Sequence, residues 1–374
     1  MCKTSINNIY QKLNTMIGLR LFLQLGIIVN LLIFLTNCTT VYNVPLYEPP
    51  ADWMDTSTRE KTITDYSKFL AGKKIFLDPG HGGEDRRNTS RSGKIVEADV
   101  NLKVGLYLKE YLDKAGVQIL MSRVKDETVP LAVRSELANA SGADMFISIH
   151  HNAPAKWEDD WSNYTSTYYH AKETDYEFEP CERDLARYIQ RDLSYVMRNP
   201  GGLGSFDGTY SDYNIYPGEG FSVLRRTKIP AVLVECGFHT SRLEELRLND
   251  ETFNQIQAWG IFRGIAKYYR EGIPQIQFLS DSTKVIENRY QFTYALFDSI
   301  GINPRSIMVF LNKEEIEYKF DKQTGLLKVE IENLLPAENA IRIICANKNG
   351  NHALPFYSII SLDDSLKIKM DISN

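Results

Sequence analysis

The sequence predicts an α/β fold, a mixed, mostly parallel sheet flanked by helices, followed by a small all-β domain. Three observations carry that expectation. Between Lys73 and Tyr269, short apolar runs alternate with runs of helical period, the order in which parallel strands are joined by covering helices. The run Ala231–Val234 is apolar at every position, as a strand covered on both faces requires. After Pro274 the long helical patterns stop, and short alternating runs separated by turn residues take over.

The elements follow in order. Lys74–Leu77 is an apolar strand stopped by Asp78-Pro79-Gly80. Val100, Val104, Tyr107, Leu108, Tyr111 and Leu112 recur at helical spacing, and Gly116 closes that helix. Val117–Met121 is a second strand, Leu131–Ala140 a helix, Met145–Ile149 a third strand and Thr165–Tyr169 a fourth. Arg183–Met197 is an amphipathic helix, Phe221–Leu224 a short strand, Ala231–Val234 the central buried strand and Phe253–Tyr269 the closing helix. These elements define a body over residues 73–272. The runs Tyr290–Leu296, Ser306–Leu311, Leu326–Ile331 and Ile341–Cys345 place an immunoglobulin-like β-sandwich at 277–365.

The amino terminus reads as an address. Residues 21–35 form an apolar run behind Lys3, Lys12 and Arg20, shorter than the ~20 residues of a comfortable membrane span. Residues 1–37 are therefore expected to be a signal peptide. Leu35-Thr36-Asn37-Cys38 resembles the lipobox of bacterial lipoproteins, which makes Cys38 the expected site of lipidation. Residues 38–72, with Pro45, Pro49 and Pro50, are expected to be a tether. The reading implies an exported, membrane-anchored protein facing the periplasm, and the absence of an acidic residue at Thr39 favours the outer membrane.

Net charge sharpens the partner classes. Lys plus Arg is 43 against 48 Asp plus Glu, or −5, and removing the three cations before Cys38 gives 40 against 48, or −8. An acidic body offers no general attraction to phosphate backbones, which excludes nucleic acid as an expected partner. The five cysteines contain no Cys-x-x-Cys pair, so neither a thiolate zinc finger nor a disulfide scaffold is expected.

Candidate chemistry sits just past strand ends, where α/β sheets place their sites. His81 lies in Asp78-Pro-Gly-His-Gly-Gly83, directly after the first strand, and His150 follows Phe146-Ile-Ser-Ile149. Glu97 stands at the start of the first long helix. Two imidazoles, one carboxylate and a water make the ligand set of a hydrolytic zinc site. Glu235 ends the buried strand, where partial desolvation raises a carboxyl toward the range of a general base; a strand-end pairing with Arg225 or Arg226 is its alternative. Strand alternation sends His151 away from His150, beside the site or at its rim. His170, His239 and His352 receive no role. Cys236 neighbours Glu235 but faces the core. A phosphate-cradling reading of the Gly80–Gly83 loop lacks both a following Lys-Ser or Lys-Thr and a Gly-x-Gly-x-x-Gly run.

The ordering of these residues resembles the zinc-dependent N-acetylmuramoyl-L-alanine amidases, bacterial cell-wall hydrolases. The resemblance covers roughly residues 73–270. It rests on Leu77-Asp-Pro-Gly-His-Gly-Gly83, Glu97 within Val96–Leu102, Arg123, Arg134, Phe146-Ile-Ser-Ile-His-His-Asn-Ala153, Phe221–Arg225 and Pro230-Ala-Val-Leu-Val-Glu-Cys-Gly-Phe238. It implies that 73–272 is an amidase catalytic domain, that His81, Glu97 and His150 bind Zn2+, and that Glu235 is the catalytic glutamate. The implied substrate is peptidoglycan, cut at the amide between N-acetylmuramic acid and L-alanine. His151 in place of a usual small residue, and long segments at 153–164 and 199–220, depart from the pattern. Asn152 and Arg225 are expected to contact substrate. The aromatic stretch 199–220 reads as a lid or as a solvated loop, and Trp157 and Trp161 as sugar-stacking or incidental. A zinc exopeptidase and an inactive wall-binding lipoprotein are the competing readings, and the β domain is a candidate surface for a protein partner.

Overall fold

The computed structural model describes residues 15–18, 20, 24 and 45–373, apart from 171, 173, 202–206, 283, 287–288, 333, 336–337 and 363–367. Cys38 and nearly all of the signal segment 1–37 lie outside the described residues. Among those described, no helix is long and apolar enough to cross a membrane.

Five of the expected strands, joined by a short strand the sequence did not suggest, form one sheet in the order β2-β1-β3-β6-β4-β5. They are β1 (Lys74–Pro79), β2 (Gln118–Met121), β3 (Met145–Asn152), β4 (Ser166–Tyr169), β5 (Thr209–Ser211) and β6 (Ala231–Phe238). The β2, β1, β3 and β6 strands are parallel, and β4 runs antiparallel to β6. The apolar runs are buried because helices cover both faces: Ile75, Leu77, Ile147, Val232 and Val234 meet one core, and Phe76, Phe146, Ala231 and Leu233 the other.

The helices are α1 (Ala51–Met54), α2 (Thr56–Leu70), α3 (Glu97–Lys114), α4 (Leu131–Ala140), α5 (Pro180–Met197), α6 (Ser222–Arg226), α7 (Arg242–Leu248) and α8 (Glu251–Arg270). Helix α5 packs against α8. A Cβ at Gly264 would lie 2.4 Å from the Ile189 Cα, so only glycine lets the two backbones approach this far.

Two expectations are corrected here. Residues 51–70, placed in the tether 38–72, are helical and belong to the body. Asp55 caps α2 by accepting from Thr58 N–H at 2.7 Å, Ile63 and Leu70 are buried, and Arg263 on α8 pairs with Asp52 at 2.7 Å. Residues 222–226 are helix, not strand; the apolar pair Val223 and Leu224 is buried from a single turn of α6 packed near α4.

Beyond α8 the chain is all β, as expected. One antiparallel sheet contains β10 (Ile302–Leu311), β14 (Asn339–Asn347) and β15 (Tyr357–Leu362) flanked by β11 (Glu314–Glu315) and β16 (Ile368–Ser373). The other contains β7 (Gln275–Phe278), β8 (Lys284–Ile286), β9 (Arg289–Phe297), β12 (Tyr318–Asp321) and β13 (Leu326–Ile331). Phe292, Tyr294, Val329, Val309, Ile343 and Ile360 fill a core shared by both sheets. The domain runs from Gln275 to Ser373 rather than from 277 to 365, because β16 pairs with β15.

Candidate metal centre

The centre is assembled at the carboxyl ends of β1, β3 and β6. The chain leaves β1 through Gly80, and the His150 ring lies directly over that glycine. A Cβ there would come within 2.1 Å of His150 Cε1. His81 adopts φ of 60°, a left-handed conformation that a non-glycine residue holds only when its surroundings impose it. Two buried arginines impose it. Arg134 pairs with Asp78 at 2.6 Å and donates to the Pro79 and His81 carbonyls at 2.9 and 2.8 Å. Arg123 donates to the carbonyls of Pro79, Gly80 and Ala98 at 2.8, 2.9 and 2.7 Å. Burial, with Arg134 alongside, lowers Arg123 to about 10.

His81 donates through Nδ1 to Asp85 Oδ2 at 2.7 Å, which leaves its Nε2 facing Glu97 Oε2 at 3.3 Å. His150 Nδ1 lies 3.1 Å from Glu97 Oε1. The two rings stand edge to face with centroids 4.9 Å apart. One ligand atom from each of His81, Glu97 and His150 lies within 4.8 Å of the others. Glu97, the first residue of α3, is only 2% exposed. Its Oε2 accepts from Asn88 Nδ2 at 2.8 Å; its Oε1 accepts from the His151 N–H at 3.1 Å and Asn101 Nδ2 at 3.2 Å.

The electrostatics describe a nest for a cation. Burial works to raise Glu97, but the facing His150 and His81 outweigh it and hold the carboxyl well below its ordinary range. Burial works to lower His81, yet Glu97 and Asp85 raise it to about 9. Positive charge is thus drawn to the point where the three side chains meet.

Glu235 lies on β6 in register with His150 on β3. Its Oε2 is sealed from solvent and has no hydrogen-bond partner among the described residues. Burial, reinforced by repulsion from Glu97, pushes its carboxyl well above the usual range. Among the described residues neither Arg225 nor Arg226 pairs with Glu235; Arg225 donates instead to the Glu219 carbonyl at 2.5 Å.

His151 is buried on the opposite face of β3, not at a rim. Its Nδ1 lies 2.7 Å from Asn101 Oδ1 and its Nε2 2.8 Å from Gln257 Oε1 on α8. Burial lowers it to about 4. His239 donates to the His151 carbonyl at 3.1 Å. His170 and His352 sit elsewhere, against Asp212 and Asp184. Cys236 is fully buried. Asn152 ends β3 two residues past His150, with its Oδ1 accepting the Ala153 N–H at 2.7 Å. Arg225 lies on α6. Asp85, Asn88 and Asn101 were missed from the sequence. The i, i+4 spacing of His81 with Asp85 and of Glu97 with Asn101 was the available signal.

An α/β sheet carrying two histidines at its strand ends, with a glutamate brought to them by the start of α3 and an unpartnered carboxyl oxygen on β6, defines a hydrolase built round a metal-binding group. The sequence profile of the N-acetylmuramoyl-L-alanine amidases matches residues 75–267, and the chain belongs to that family. It is 31% identical over 220 residues to the germination-specific N-acetylmuramoyl-L-alanine amidase of Bacillus subtilis, covering 55% of this chain and 84% of that protein. It is 32% identical over 206 residues to the probable cell wall amidase LytH of Staphylococcus epidermidis, covering 54% of this chain and 60% of LytH. The crystal structure of an N-acetylmuramoyl-L-alanine amidase from Clostridium difficile 630 aligns with 54% of this chain and 98% of its own, at 31% identity and a TM-score of 0.46. The chain is accordingly a peptidoglycan hydrolase that cleaves the amide joining N-acetylmuramic acid to L-alanine.

Proposed function

We propose that His81, Glu97 and His150 hold a zinc ion and that Glu235 is the proton-transfer group, in an exported enzyme acylated at Cys38. The observation that carries the zinc reading is the convergence of two ring nitrogens and one carboxylate oxygen within 4.8 Å, beside an orphaned buried carboxyl oxygen. The donor set is that of a three-ligand hydrolytic site with an open position. Zinc bound there supplies a Lewis acid for the amide carbonyl and lowers the pKa of water.

The chain's own residues do the rest. Asp85 fixes the Nδ1 proton of His81, so the ring presents a lone pair from Nε2. Asn88, Asn101 and the His151 N–H orient Glu97. The raised Glu235 carboxylate accepts a proton from the attacking water and returns it to the departing alanine nitrogen. Glu235→Ala is expected to cut muropeptide cleavage by roughly 10²–10⁴-fold while zinc content stays unchanged. Full activity in that variant refutes the assignment.

Asn152 and Arg225 are proposed substrate contacts. The lipoprotein reading rests on Leu35–Cys38 and the apolar run before it. It places the enzyme on the periplasmic face of the outer membrane. Cys38→Ser is expected to abolish incorporation of labelled fatty acid and to move the protein out of the membrane fraction.

A further inference from the structure

Two of the chain's four tryptophans, Trp53 and Trp259, are buried, whereas Trp157 and Trp161 are 62% and 74% exposed. Leaving two indoles in water is costly unless something covers them in use. Both stand on the segment that follows Asn152, two residues past His150, so they rise at the edge of the sheet that carries the metal centre.

The segment is pinned. Asp159 accepts from the Ser162 N–H at 2.9 Å and the Ser162 hydroxyl at 2.5 Å. Arg242, which opens α7 after β6, pairs with Asp160. Asn163 donates to buried Glu244 at 2.8 Å, and the Tyr164 and Phe238 rings lie 4.5 Å apart. Arg91 donates to the Asp159 carbonyl at 2.7 Å and sets its guanidinium 4.5 Å from the Trp157 ring centre. Arg91 is three residues beyond Asn88, which bonds Glu97. The segment's backbone and the Trp157 indole are therefore fixed relative to the loops of the centre, which lowers the cost of ordering them on a ligand.

We propose that Trp157 and Trp161 form a stacking platform for sugar rings of the peptidoglycan glycan strand, an inference that rests on the amidase reading with its centre at this edge. A pyranose ring presents a face of axial C–H groups, weakly positive and apolar, which matches the negative face of an indole. Its hydroxyls remain at the ring rim for hydrogen bonds. Charge selects sugars over a lipid surface. Glu158, Asp159 and Asp160 lie between the two indoles and balance Lys156, Arg91 and Arg242, so the patch carries no excess positive charge to attract anionic headgroups. Because the scissile amide hangs from a sugar of the strand, stacking there delivers muramoyl groups to the catalytic edge.

The test titrates the full-length protein with peptide-free glycan strands by isothermal titration calorimetry, for the native chain, W157A/W161A and W157F/W161F. Both sites are exposed, and circular dichroism checks that the variants fold. The double alanine variant is expected to bind roughly tenfold more weakly, with binding partly restored by phenylalanine. Unchanged glycan binding in W157A/W161A overturns the platform. So does loss of binding to phosphatidylglycerol vesicles in that variant without loss of glycan binding. Because peptide-free strands contain no scissile amide, failure of muropeptide cleavage with intact glycan binding counts against the catalytic reading and not against the platform.

Discussion

His151 is next to His150 in sequence but on the other face of β3, and its ring carries the hydrogen-bond chain from Glu97 through Asn101 to Gln257 on α8. Truncating it leaves the Asn101 Oδ1 and Gln257 Oε1 oxygens without their ring partner in a dry interior, each worth about 1–3 kcal/mol, and loosens the Asn101 amide that orients Glu97. His151→Ala is expected to weaken zinc about 10–100-fold in chelator competition, and an unchanged affinity with lowered stability would reduce the residue to packing. The element pattern made His81, His150, Glu97 and Glu235 legible, because His81 follows β1, Glu97 opens α3, and His150 and Glu235 lie in register near the carboxyl ends of β3 and β6, which run on to Asn152 and Phe238 past the ends the apolar runs suggest. Asn101 and Gln257 were not legible as members of the site. Their partner lies 50 and 106 residues away, and only the fold brings amides of such ordinary type together.

At the scale of elements, α5 carries a buried acid near its start. Glu182 Oε1 accepts the Ala231 N–H at 3.0 Å, tying the helix to the first residue of β6. Burial, only partly opposed by that bond, raises Glu182 well above its ordinary value of 4.5. The folded state then holds a proton that the unfolded chain releases, so this contribution to stability is complete below about pH 4.5 and is lost as pH rises through the elevated value. Glu182→Gln keeps the acceptor without the charge. Its melting temperature relative to the native protein is expected to rise between pH 5 and pH 8, and equal differences at both pH values would refute the assignment. Long elements such as α3, α5 and α8 were readable from their period. The run 221–224 was not, because four apolar-rich residues fit a strand or one helical turn equally well. The helix over 56–70 was hidden by its polar composition, although Asp55 before Thr58 is a capping signal.

Across the whole molecule, the catalytic and β domains meet along α5 and the end of α8. Arg342 on β14 donates to the Tyr176 and Phe178 carbonyls and pairs with Glu179 at 3.1 Å. His352 N–H meets Asp184 at 2.8 Å, and Asn351 reaches the Tyr268 and Gly272 carbonyls at 3.1 and 2.9 Å. Arg342 is 2% exposed, so Arg342→Ala leaves Glu179 with only the Tyr357 hydroxyl at 2.8 Å and is expected to cost roughly 3 kcal/mol. Calorimetry should then resolve separate unfolding of the two domains, whereas a single undiminished transition would show that the contact is incidental. None of these contacts was readable in the sequence, since they join residues that neither domain needs for its own core.

Because β4 runs against β6, the residues leading into α5 start from the sheet edge opposite the histidines, and α8 finishes at that same edge. The β domain is docked there. A partner taken by that domain would sit at the back of the enzyme and leave the catalytic mouth open toward the wall.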